Sequence, residues 1–132
     1  ALIHDLEESL TGDKSIFDQK GRVNKELLEK KARNKIVKMF SKWKDYKELS
    51  LKYKKLIDNE SKFVNGLDKI LPVLNIYLDG GKTWKTENTT LDMIVQNKRI
   101  KTSIHPISMK LWKSLEKKLK AKEFSLFGKL SR

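Results

Sequence analysis

Three residues near the start of the chain, His4, Asp5 and Glu8, carry side chains of the kind that hold metal ions. On a helix His4 and Glu8, four apart, share a face, and Asp5 lies beside them among Leu2, Ile3 and Leu6. One imidazole and one carboxylate here, joined by a second carboxylate from elsewhere, make a partial shell for a divalent transition metal or Mg²⁺. A fourth group stands much further on. Val64, Leu67, Leu71 and Leu74 recur at helical spacing and define an inward face, and Asp68 falls among them. An ionised carboxylate on such a face is costly unless it is paired or bound to a metal. Lys69, its neighbour of opposite charge, projects about 100° away around a helix. The spacing therefore predicts that Asp68 finds its partner elsewhere, in the segment carrying His4 and Asp5. Glu8, left unligated, is placed to act as an acid or base beside an activated water. Taken singly, a histidine at a helix start more often caps or packs, and an inward aspartate more often joins an ion pair. Their conjunction is what points to a metal.

The elements that must position these groups are helices. The chain has only two prolines and six glycines, and apolar residues recur every three or four positions. A short helix is predicted over Leu2–Leu10, stopped by Gly12, then an irregular stretch over residues 14–23. A long stripe follows an N-cap at Asn24, running from Leu28 through Ile36 and Trp43 to Leu56, and Lys44-Asp45 is the place for a break. A third segment spans about Ser61–Leu78, with Phe63, Val64, Leu67, Leu71, Leu74 and Leu78 inward and Gly80-Gly81 closing it. A weaker helix is expected over Leu91–Ile100. The last starts at Pro106, a favoured first-turn residue, with Leu111, Trp112, Leu115 and Leu119 inward and a loose tail after Phe124. The fold class is all-α, in a single domain over residues 1–132.

Composition narrows the chemistry. There is no cysteine, which excludes disulfides and thiolate metal sites. No apolar run approaches the roughly 20 residues of a membrane span, and no basic, apolar leader opens the chain; a cytoplasmic setting without a membrane partner is the expectation. The net charge is +13, unevenly spread. Residues 1–19 hold one Lys and five acids, a net of −4, whereas the remainder carries +17. An acidic island against a basic trend suits a cation site. The basic remainder suits a polyanion such as RNA, or is simply a solvated lysine surface.

His4-Asp5-Leu6-Glu7-Glu8 with Thr11-Gly12-Asp13, followed by Phe63-Val64 and Leu67-Asp68-Lys69, resembles the HD-domain metal-dependent phosphohydrolases. The closest pattern is that of the branch containing the bacterial 5′-deoxynucleotidases and their eukaryotic relatives. The resemblance covers about residues 1–78, leaving 79–132 as C-terminal helices with a basic tail. It implies an HD-like helical bundle, a divalent metal (Mn, Co, Mg or Zn) held by His4, Asp5 and Asp68, and Glu8 as the group that moves the proton or orients the water. It implies Asp13 in the substrate pocket, toward the sugar, and hydrolysis of a (deoxy)nucleoside 5′-monophosphate. The family pattern also has an earlier histidine. Only three residues precede His4, none of them His, and His105 suits a helix start or packing rather than the missing ligand. The expectation is a chain incomplete for catalysis: a fragment lacking its N-terminal helices, one half of a split protein, or a relic. A second chain or another copy would then cover the N-terminal side.

Other signals fail on inspection. Gly80-Gly81-Lys82-Thr83 suggests a phosphate loop, but the pattern needs glycine where Ile76 stands, and a strand before it. Asn88-Thr89-Thr90 fits a glycosylation sequon only by chance without a secretory leader. Trp84 and Trp112 suit a core better than base stacking. Two readings survive: a phosphohydrolase of the HD kind, and a non-catalytic basic scaffold that associates with RNA.

Overall fold

A computed structural model describes residues 3, 5–12 and 25–128, and the regular structure among them is entirely helical. The helices are α1 (Glu8–Thr11), α2 (Lys25–Met39), α3 (Tyr46–Lys55), α4 (Asn59–Leu78), α5 (Lys82–Thr86), α6 (Leu91–Thr102), α7 (Pro106–Ala121) and α8 (Glu123–Phe127). They fall into two compact units, Ala1–Asp58 and Asn59–Arg132. No helix among the described residues is long and apolar enough to cross a membrane.

In the first unit α1 and α3 both pack on α2. Gly12 ends α1 at φ +75°, a conformation that costs glycine nothing, and its amide closes on the Glu8 carbonyl at 2.8 Å. The long stripe breaks where Lys44-Asp45 predicts, and α3 stops at Leu56, in the left-handed region. Ala32, Ile36 and Tyr46 form the apolar interior, with Tyr46 wholly buried.

The second unit holds the larger core. Ile70 and Val73 of α4, Trp84, Leu91 and Val95, Trp112, Leu115 and Leu119 of α7, and Leu126 and Phe127 of α8 pack together. Each such side chain contributes about 1.5–3 kcal/mol on burial. Punctuation is sharp: Thr90 Oγ1 accepts from the Met93 amide at 3.4 Å, and His105 Nδ1 accepts from the Ile107 amide at 3.2 Å with Pro106 next in line. His105 also packs on Phe63, ring centroids 5.2 Å apart, so it caps and packs. Trp84 stacks on Phe127 at 4.7 Å, a core role as expected.

Two expectations need correction. The buried line of α4 is Ser61, Gly66, Ile70 and Val73; Leu71 and Leu78 are exposed, and Phe63, Val64, Leu67 and Leu74 only half-buried. Gly66 explains the rotation. Without a Cβ it lets α7 approach until Ser108 occupies the space a side chain would fill, so the closest-packed face is the one around glycine. Likewise the segment after Phe124 is no loose tail up to Gly128, because Leu126 and Phe127 complete the core. Pro72 sits within α4, four residues after Asp68, and brings no N–H for the i→i−4 ladder.

Candidate functional site

The stretch bearing the proposed metal and acid–base groups is short and held at few points. The Asp5 carbonyl accepts from the amides of Glu8 at 3.0 Å and Ser9 at 3.3 Å, which winds the chain into α1. Asp5 is exposed and Glu8 half-buried. Between them Glu7 turns inward, 8% exposed. Arg33, near the middle of α2 and 7% exposed, meets it with both arms of its guanidinium: Nε to Oε1 at 2.6 Å and Nη2 to Oε2 at 2.8 Å. Ser50 of α3 joins in, accepting from Arg33 Nε at 2.9 Å and donating to Glu7 Oε1. A two-pronged charge pair of this kind fixes orientation as well as distance. It fastens α1 to α2 and α3 at the residue flanked by Asp5 and Glu8. Tyr46 completes the cluster; burial, then the Glu7 carboxylate, push its phenol above the ordinary range.

Next to this anchor lies a cleft of about 130 Å³ lined by Glu7, Glu8, Glu29, Ser50, Tyr53 and Lys54 among others. Cations rim it: Lys25 Nζ is 3.8 Å from Glu8 Oε1 and 3.7 Å from Glu29, and Lys54 pairs with Glu29 at 2.7 Å. Sequence reasoning missed Glu7 and Arg33 as the residues that seat this segment. The available signal was an acidic side chain in an apolar frame at position 7 and one arginine in the lysine-rich run 25–38; their separation of 26 residues hides the pairing.

Asp68 lies on α4, in the second unit. It is not among buried leucines: its side chain is 31% exposed, and Lys69 Nζ donates to Oδ2 at 2.6 Å. The flexible lysine stem folds back across the 100° that separates the two positions on the helix. Lys69 thus supplies Asp68 with one cation from its own helix, a pairing that the 100° separation argued against. Nearby, burial and then Lys101 and Lys69 pull the Lys98 ammonium below its ordinary range. His4 and Asp13 lie outside the described residues, and among the described residues no three His, Asp or Glu side chains form a cluster fit for a metal. Asp5, Glu8 and Asp68 are nonetheless carboxylates with solvent-reachable surface, the hard oxygen donors that Mg²⁺ and Mn²⁺ take; the donor chemistry fits a divalent cation.

The HD-domain family profile matches residues 1–112, across both units, and the chain belongs to that family. The family lies in the metal-dependent phosphohydrolase superfamily, whose domains generally bind divalent metals. No curated protein and no solved structure matches the chain.

Proposed function

We propose that the chain is a metal-dependent phosphohydrolase acting on (deoxy)nucleoside 5′-monophosphates, with His4, Asp5 and Asp68 as metal ligands, Glu8 as the proton-transfer group and Asp13 toward the sugar. The observation that supports it most is family membership combined with the local build of α1. Asp5 and Glu8 stand at the surface one turn apart, and the residue between them is clamped by Arg33. A divalent ion in such a set polarises a phosphoryl group and acidifies water. Glu8 delivers a proton to the leaving 5′-oxygen or orients the attacking water, and its half-burial beside a small cleft keeps it within reach of a bound phosphate. The earlier histidine of the family pattern has no counterpart in these 132 residues, so three protein ligands are expected to hold the ion weakly and turnover by this chain alone to be slow.

Two measurements test the reading. Mn²⁺ is expected to raise the melting temperature of the wild-type chain by a few degrees and to leave Asp5→Asn unmoved; an identical shift in both, or none in either, overturns the metal assignment. Slow Mn²⁺-dependent phosphate release from nucleoside 5′-monophosphates is expected to vanish in Glu8→Gln. Release undiminished in that variant removes Glu8 from the chemistry. If the wild-type chain neither binds metal nor releases phosphate, the non-catalytic scaffold is what stands.

A further inference from the structure

We infer that the groove between α6 and α7 is a docking surface for the phosphate backbone of a single-stranded nucleic acid. The groove encloses about 640 Å³, and Arg99, Lys113, Lys117 and Lys120 line it with a single carboxylate, Glu116. Glu116 is buried at its base, where Arg99 Nη2 reaches Oε1 at 2.8 Å and Lys120 Nζ at 2.9 Å. Burial pushes the Glu116 carboxyl up, and the hydrogen bonds from Lys120 and Arg99 outweigh it, so the group sits below the ordinary carboxyl range. It stays ionised and holds those two cations in fixed places while most of each side chain faces solvent. Lys113 and Lys117 are exposed and pair with no acid among the described residues. The groove therefore carries a net charge of about +3 that its own residues do not cancel.

The shape of this charge selects the ligand. Lys113, Lys117 and Lys120 follow one line along α7, and seven residues of helix span about 10 Å, a length over which a strand presents more than one phosphate. A lone mononucleotide needs a face on which its base can stack, and the groove offers none: Trp112 lines it but is 1% exposed. A carboxylate-bearing protein partner is best met by a guanidinium fork with both arms free, and the Nη2 arm of Arg99 is already engaged by Glu116. What remains is a row of ammonium groups, Lys113 and Lys117 with no acidic partner among the described residues and Lys120 shared with Glu116, point charges suited to successive phosphates and indifferent to sequence.

The experiment is fluorescence anisotropy of the 132-residue chain with labelled 12-nucleotide RNA and DNA of mixed sequence, and with a polyglutamate peptide. About three neutralised phosphates give a log–log salt slope near −2 for a single strand, so affinity is expected to fall about 20-fold between 50 and 200 mM salt. Lys113→Glu/Lys117→Glu is compared with Lys30→Glu/Lys31→Glu on exposed α2 positions; each reversal changes the charge by two, so both doubles go from +13 to +9. The groove variant is expected to lose at least tenfold in affinity for both strands and the α2 variant less than threefold. The neutral pair Lys113→Gln/Lys117→Gln, a milder change, is expected to lose about fourfold. Equal losses in the two reversed doubles, unmeasurable wild-type binding, or polyglutamate bound as tightly as RNA each overturn the inference. None of these variants touches Asp5, Glu8 or Asp68, so phosphate release reports on the hydrolase reading separately.

Discussion

Replacing Arg33 by Leu strands the Glu7 carboxylate in the interior of the first unit. Both partners are under a tenth exposed, so water screens little of the interaction. Arg33 supplies two of the hydrogen bonds to that carboxylate, at 2.6 and 2.8 Å, leaving only the Ser50 hydroxyl. Removing one member of a buried pair costs about 3–5 kcal/mol, because the remaining charge stays desolvated. At roughly 4 °C per kcal/mol for a domain of this size, the melting temperature falls by about 12 °C or more. The double variant Glu7→Leu/Arg33→Leu removes both charges and is expected to recover at least about 2 kcal/mol of that loss, since an apolar replacement of a buried pair is often close to neutral. Thermal and urea unfolding of the wild type, both singles and the double close the cycle. A single Arg33→Leu variant within about 1 kcal/mol of wild type, or a double as unstable as the sum of the singles, would refute a desolvated pair as the fastener of α1.

Two further outcomes follow from packing and charge in the second unit. Gly66→Ala places a methyl group against the Ser108 side chain, which is held by its donation to the Thr102 carbonyl at 2.7 Å; a loss of about 1–3 kcal/mol is expected from overpacking, and Ser108→Gly in the same chain should restore most of it in a urea titration. Glu116 has a folded-state pKa below its unfolded value, so its contribution is fully present above the ordinary carboxyl pKa of ~4.3 and is lost as pH falls through the lowered folded value. The stability gap between wild type and Glu116→Gln is therefore expected to be constant from pH 7 to about 5 and to close toward pH 3; a gap that widens on acidification would contradict the sign of the shift.

Much of the helical layout was legible because its signals are local. Gly12, Gly80 and Gly81 all adopt positive φ, and Pro106 opens α7 behind a histidine cap; each acts within a turn of itself. The register of α4 was not legible. Counting leucines favoured the Leu67–Leu71–Leu74 side, whereas the missing Cβ at Gly66 and a serine 42 positions later decide which side another helix can approach. The Lys69–Asp68 pair escaped because helical angles describe where Cβ atoms point and say little about the tip of a four-carbon stem. In the candidate site, Asp5 and Glu8 stood out by residue type and spacing. Their support did not, since Arg33 and Ser50 lie 26 and 43 residues from Glu7 and only folding brings them to it.

The proline in α4 has a mechanical consequence. A ladder with one rung absent bends more easily there than in the turns to either side, because flexing breaks no amide bond at that place. Asp68 is mounted on the turn immediately before this weak point, and Ile70 and Val73 grip the helix on either side of Pro72. Pro72 cannot donate to the carbonyl of Asp68 four residues earlier, so the turn that carries this carboxylate keeps its place through the core grip of Ile70 and Val73 rather than through a complete ladder.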